Sequence, residues 1–406
     1  MRVAVIGAGA AGTMAAIFAA EAGADVILVE RTADGGRKIL ISGGGRCNIL
    51  PSQLVETRFV TDSSPHTLRN MIRSWPLGEQ IAFFERELKL TLVEEPESRK
   101  LFPSSNRARD VRDGLLAALR RRGGTLQSNT TVTDLAPEAG RWRVTCEQRE
   151  PIVADRVILA SGGFSVPQTG SDGIGIRIAK ALGHTIHPTY AALTPISAAP
   201  APFGDLSGIS LEVQLDAESP SRRASAGGGF LFTHRGYSGP AVLDVSHVLV
   251  RARLEGEPAR LLVQWSGLDA TAWEQTLSAT GTRSVLGAVR REVPERLAVA
   301  LTGRAGVEPE RTLAQLRRDE RQRLVVELAR CELPWSGDEG YRKAEVTGGG
   351  VSLAEVDPRT MESRRAPGLF LCGEILDAFG PIGGYNFLWA WATGRAAGQA
   401  AAVLSP

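Results

Sequence analysis

The chain has 406 residues, 43% of them hydrophobic and 23% charged, with a formal net charge of +2. This balance is ordinary for a globular protein, and the length suits two or three domains with substantial cores. No apolar run approaches the roughly 20 residues of a membrane span, and the N-terminus itself reads as a core strand, so no cleavable signal is expected and the expected compartment is cytoplasmic.

Residues 3–6 form a short apolar run, expected to be a buried parallel strand. It enters Gly7-Ala8-Gly9-Ala10-Ala11-Gly12, then an Ala-rich helix over about 9–22. Gly23 ends that helix, residues 25–29 read as a second strand, and Glu30 closes it. In such a unit Gly7 permits the tight turn, Gly9 lets the backbone approach a pyrophosphate, and Gly12 lets helix pack closely on strand. The helix N-terminus offers free N–H groups and its positive dipole end to the phosphates. Glu30 can accept hydrogen bonds from both adenosine ribose hydroxyls, and its charge would repel a 2′-phosphate, which favours FAD or NAD over NADP. A second glycine-rich, basic stretch follows, Gly35-Gly36-Arg37-Lys38 and Ser42-Gly43-Gly44-Gly45-Arg46-Cys47-Asn48. Backbone wrapped around more cofactor in this way suits FAD.

Residues 51–97 read as mixed helix and loop, with helical spacing over 77–88, and 98–107 as a polar, basic loop. A helix over 108–122 ends at Gly123-Gly124. Strands are expected over 125–135, 141–147 and 155–160, the last entering Ser161-Gly162-Gly163, either a cofactor turn or a simple chain reversal. Composition changes near His187-Pro188. Strands are expected over 209–217, 229–233 and 260–265, with turns at 227–229 and 236–240. Residues 270–330 are helical in pattern, most clearly over 284–301 and 311–330. The expected organisation is a nucleotide-binding domain of 1–187 and 341–406 interrupted by an inserted substrate domain, β-rich over 188–268 and helical over 269–340. The last part holds a glycine-rich segment over 346–351, a strand over 368–372 ending in Gly373-Glu374, and Gly380-Pro381-Ile382-Gly383-Gly384-Tyr385-Asn386 before a helix over 387–404. That glycine turn is another anion-ready helix start.

Cys47, Cys146, Cys331 and Cys372 are scattered without a CxxC, so neither a zinc site nor a dithiol pair is expected and no metal is assigned. Only five of the 47 basic residues are lysines. Arginine suits phosphates and carboxylates, although helical arginine faces are usually solvated and paired with acids. No second strand–GxGxxG–helix unit appears, so no separate nicotinamide domain is expected.

Several motifs together carry a family resemblance: KILISGGGRCN at 38–48, residues 99–104, SGGFSVPQTGSDGIG at 161–175, LFTHRGYSGPAVL at 231–243, TGGGVSLAEVDPRTME at 347–362, and residues 368–398. The chain resembles the YhiN/BaiN-like FAD-dependent oxidoreductases, which include ribosomal RNA dihydrouridine synthase-like members and others linked to bile-acid metabolism. The resemblance implies an α/β fold, with a discontinuous Rossmann-like FAD-binding domain and an inserted domain. It implies hydride passing from NAD(P)H, as a transient visitor, or from another donor through flavin N5 to an unsaturated C=C acceptor. A uridine in ribosomal RNA is the leading acceptor and a small enone or steroid-like molecule the alternative; the contrasting reading is a non-catalytic flavin-binding sensor or RNA-binding factor. FAD contacts are expected from Gly7, Gly9, Ala11, Gly12, Glu30, Arg31, Lys38, Gly44, Arg46, Cys47, Asn48 and Val132, and later from Gly162, Gly373, Glu374, Gly384, Tyr385 and Asn386. Lys38 or Arg46 would stabilise negative charge on reduced flavin, or else pair with a phosphate or carboxylate. Cys47 reads as a small residue packed near the cofactor. His234 and Tyr385 are candidate proton donors, with a turn-stabilising role the competing reading for His234.

Overall fold

In the computed structural model, which describes residues 1–278 and 281–403, the N-terminal apolar run is the strand Arg2–Ile6 at the centre of a five-stranded parallel sheet. Asp25–Val29 and Arg156–Leu159 flank it, with Thr125–Gln127 and Leu369–Leu371 at the edges. Val3, Ala4, Val5 and Leu28 are fully buried. Burial on both faces explains why these strands read as continuous apolar runs rather than alternating ones. The helix Ala10–Glu21 connects the first two strands, and everything from Ala11 to Ala20 is buried. It packs on the C-terminal helix Tyr385–Ala401, so the two ends of the chain share one core. That helix begins two residues before the expected 387, and the expected end at Leu404 lies outside the described residues.

Two compact units divide the chain: Met1–Tyr190 with the chain from Glu345 onward, and Ala191–Ala344. Within the first unit the structure corrects two local readings. The stretch 98–107 is not simply a loop, because Lys100–Pro103 is the middle strand of a small sheet between Leu50–Pro51 and Leu92–Glu95. Leu101 and Phe102 are buried there, a signal that the surrounding charges mask in the sequence. The expected strand 125–135 is two strands, Thr125–Gln127 and Val132–Glu138, in different sheets. The chain turns between them at Asn129, whose φ is +50°.

The second unit holds a seven-stranded sheet whose named pairings are antiparallel. Its core centres on Trp265, which packs against Phe203, Phe230 and Phe232, with Tyr237 beside the last two. The triplet Gly227-Gly228-Gly229 is not a turn. It lies inside the strand Arg223–Thr233, where added side chains at 228 and 229 would meet the start of the helix Pro240–Glu255. That 16-residue helix is absent from the β-rich expectation for 188–268. Its Gly239-Pro240 start reads as a turn, yet proline suits the first helical position because its missing N–H needs no partner there. The expected segment 284–301 is two helices, Val285–Val289 and Glu295–Arg304, separated at Pro294. Among the described residues no helix is long and apolar enough to cross a membrane.

Candidate functional site

A cleft of about 1500 Å³, measured with its open mouth, lies in the first unit where Ile6 and Val29 end their parallel strands and Ala160 follows a third. Ligands in open parallel sheets bind outside these carboxyl ends.

Two observations test whether FAD fits. The helix Ala10–Glu21 starts at Gly9 without any side-chain cap, and Gly9, Ala10 and Ala11 line the cleft, so the helix presents uncapped backbone there. A Cβ at Gly7 would stand 2.7 Å from the Ala160 carbonyl, and one at Gly12 would stand 1.9 Å from the Gly7 carbonyl. A Cβ at Gly9 would meet nothing within 4 Å. The turn is thus tight against the protein at Gly7 and Gly12 and open toward the cleft at Gly9. Ser161 also lines the cleft, but its Oγ is buried against Gly175 rather than facing the open space.

Glu30 is buried and lines the cleft. Its Oε2 accepts from the Ala8 N–H at 2.8 Å, and its Oε1 accepts from the Thr32 N–H at 2.8 Å and the Thr32 hydroxyl at 2.7 Å. A carboxylate has about four acceptor positions, so one is left, on Oε2. The residue therefore holds the glycine turn as well as facing the cleft, a double role that the spacing alone does not reveal.

At another part of the cleft Lys38, from the short helix Arg37–Ile41, donates to Glu374 Oε2 at 2.6 Å and to Ser165 Oγ at 2.5 Å. Glu374 Oε1 accepts from the Ser165 hydroxyl at 2.5 Å and from the Thr347 N–H at 3.0 Å. Chain positions more than 300 residues apart thus form one charge-neutral network. Protein packed around Glu345, which also lines the cleft, raises its pKa although part of the residue is open to solvent, while the Lys38 and Lys100 ammonium groups act against that rise.

Of the expected contacts, Gly7, Gly9, Ala11, Glu30, Arg31, Lys38, Asn48, Val132, Gly162, Glu374, Gly384 and Asn386 line this cleft. The others do not line it. Gly12 packs against the Gly7 carbonyl, and Gly373 faces Ala11. Gly44 sits exposed in the turn Ser42–Gly45. Arg46 pairs with Glu95 at 2.9 Å and lies 4.1 Å over the Phe102 ring. Tyr385 donates its hydroxyl to the Gln53 carbonyl at 3.1 Å. His234 belongs to the second unit, exposed between the strands Arg223–Thr233 and Gly236–Ser238. Glu345, which also lines the cleft, has no local sequence pattern that marks it.

Cys47 is fully buried and burial pushes its thiol up to about 12, against a small opposing effect of a hydrogen bond with Ser42. At neutral pH it holds no thiolate, the form that reacts. Iodoacetamide should leave Cys47 unmodified in the native protein, and Cys47→Ala should retain flavin and its reduction. Mass-spectrometric labelling of Cys47 without unfolding would overturn this.

Comparisons with known proteins show which family the chain belongs to. The model of the family described as HI0933-like protein Rossmann domain matches residues 1–400. The chain is 31% identical to the 3-dehydro-bile acid delta(4,6)-reductase of Clostridium scindens, covering 99% of each chain. It is also 31% identical to the ribosomal RNA dihydrouridine synthase of Escherichia coli, covering 97% of this chain and 96% of that one. The structure of 3-ketosteroid delta1-dehydrogenase from Sterolibacterium denitrificans superposes with a TM-score of 0.54 at 14% identity, over 98% of this chain and 99% of that one, and so shares the fold. The chain belongs to the HI0933-like family of FAD-dependent oxidoreductases.

Proposed function

We propose that the chain holds FAD in the cleft of its first unit and reduces a ring C=C bond conjugated to a carbonyl. The observation that carries this is the pair of full-length relatives at equal identity. One is named for making dihydrouridine and the other for a delta(4,6) reduction, two names for saturation of a ring double bond. Hydride transfer is the chemistry FAD supplies when bound, while the protein positions and tunes. Here Glu30 takes the adenosine ribose and the uncapped start of the helix Ala10–Glu21 takes the pyrophosphate. Lys38, Asn48, Gly384 and Asn386 line the flavin end. Asn386 also closes its own loop, its amide bonding both to the Gly380 N–H and the Gly380 carbonyl at 2.9 Å. NAD(P)H is the proposed donor, visiting without a domain of its own.

A uridine in ribosomal RNA is the leading acceptor, and a small enone or steroid-like molecule is the second reading, supported by the bile-acid relative. Charge supports RNA less than composition suggests. Of the eleven arginines over 283–330, seven form ion pairs among the described residues, so few guanidinium groups are left for phosphates. The purified protein should be yellow and should bleach with NADH or NADPH; a colourless protein that takes up no FAD refutes the reading. Deleting the gene and mapping dihydrouridine in ribosomal RNA separates the acceptors. Loss of a site supports RNA, and an unchanged map leaves the small enone.

A further inference from the structure

Six ionisable side chains line the cleft: Glu30, Arg31, Arg37, Lys38, Glu345 and Glu374. Five are engaged. Glu30 is tied to Ala8 and Thr32, Arg31 to Asp172, Arg37 to Asp34, and Lys38 to Glu374. Glu345 alone makes no hydrogen bond or ion pair among the described residues. It directly precedes the strand Val346–Val351, whose Thr347 N–H anchors Glu374, so it stands beside the Lys38–Glu374 network rather than at the Glu30 end. It has exposed surface, so its carboxyl can exchange protons with solvent.

Saturating a conjugated C=C bond needs a hydride on one carbon and a proton on its neighbour. We propose that Glu345 is the proton donor: its carboxyl protonates the carbon next to the carbonyl as the hydride arrives on the far carbon. The π bond breaks and two C–H bonds form. Both electrons come with the hydride, and the Glu345 carboxylate regains its proton from water. This rests on the C=C-reduction reading above and adds to it a residue that spacing and motif leave unmarked.

The surroundings suit the task. Packing around Glu345 favours its neutral, proton-bearing form, while Lys38 and Lys100 hold that preference in check. A donor works best when its pKa lies near the working pH. Lys38 is itself neutralised by Glu374, so its pull on Glu345 is weakened.

The test uses purified FAD-loaded protein, reduced and then mixed in deuterated buffer with two acceptors: ribosomal RNA from the deletion strain and a 3-keto-Δ4 steroid. Glu345→Gln should bind FAD with wild-type affinity by flavin titration and be reduced normally, yet pass its electrons to the acceptor about 10²–10⁴-fold more slowly. Wild type should place solvent deuterium on one face of the carbon next to the carbonyl; Glu345→Gln should place it on both. The wild-type rate should fall as pH rises and deprotonates Glu345, a limb missing from Glu345→Gln and kept by Glu345→Asp. Wild-type rate and one-faced deuterium in Glu345→Gln overturn the proposal, and so does loss of FAD, which would make the residue a cofactor contact. Wild-type protein that binds FAD but reduces neither acceptor overturns the C=C reading beneath it, and Glu345's part with it.

Discussion

Glu30→Arg is expected to give a colourless protein. Three donors converge on the Glu30 carboxylate: the Ala8 N–H from within the glycine turn, the Thr32 N–H and the Thr32 hydroxyl. A guanidinium carries only donors, so every one of these groups loses its acceptor, the Ala8 N–H in a buried place and the two Thr32 groups in a half-buried one. The new positive charge also stands near the positive end of the helix Ala10–Glu21, where it is unfavourable. Losing one charge-assisted bond costs about 1.5–3 kcal/mol. Because the adenosine ribose is deprived of its acceptor too, FAD affinity should fall by about a hundredfold or more, and the apoprotein should melt at a lower temperature. Glu30→Gln retains one acceptor oxygen and should lie between the two. The ratio of flavin to protein absorbance in the purified variants measures the first effect, and thermal unfolding without FAD the second. Full flavin occupancy in Glu30→Arg would remove Glu30 from the site. A lowered melting temperature with unchanged FAD affinity in Glu30→Gln would reduce it to a clamp on the turn.

That double role shows where sequence reading stops. Gly7, Gly9 and Gly12 were legible because the fold needs glycine at fixed offsets: a Cβ at Gly7 or Gly12 would strike backbone, and Gly9 opens toward the cleft. The acid at position 30 was legible by distance from them. Its bonds to Ala8 and Thr32 were not, because they depend on how the turn after the second strand folds back. Glu345 is a stronger case. It precedes a glycine-rich strand without any local pattern of its own, and what marks it is the engagement of every other charged group around the cleft. The GGYN segment was legible as a helix start but not in detail. Tyr385 bonds Gln53 and Asn386 bonds Gly380, so part of its polarity serves to close the loop. In the second unit the Gly-Pro at 239–240 and the glycines at 227–229 read as turns because local rules dominate a short window. The structure uses them where a helix start crosses a strand closely.

Gly394→Val is expected to unseat the cofactor without touching it. The C-terminal helix Tyr385–Ala401 meets the helix Ala10–Glu21 through small residues four apart on both sides. A Cβ at Gly394 would lie 2.4 Å from the Ala11 carbonyl, and one at Gly398 would lie 2.2 Å from the Ala15 carbonyl. These neighbours are backbone, so no side-chain rotation relieves the clash. The helices must separate or the core must strain, and overpacking of this kind costs about 1–3 kcal/mol or more. Separation moves Ala10 and Ala11, which line the cleft at the expected pyrophosphate position. Gly394→Val should therefore lower both the urea midpoint and the flavin content, and Gly398→Val, one turn farther from the cleft, should lower the midpoint with a smaller loss of flavin. Gly303 provides the control. It is exposed in the helix Glu295–Arg304 with nothing within 4 Å of an added Cβ, so Gly303→Ala should raise stability by about 0.5–1 kcal/mol. A wild-type midpoint and full flavin content in Gly394→Val would show that the two helices do not fix the cleft. Equal flavin loss at 394 and 398 would show that stability alone, rather than the position of the first helix turn, governs binding.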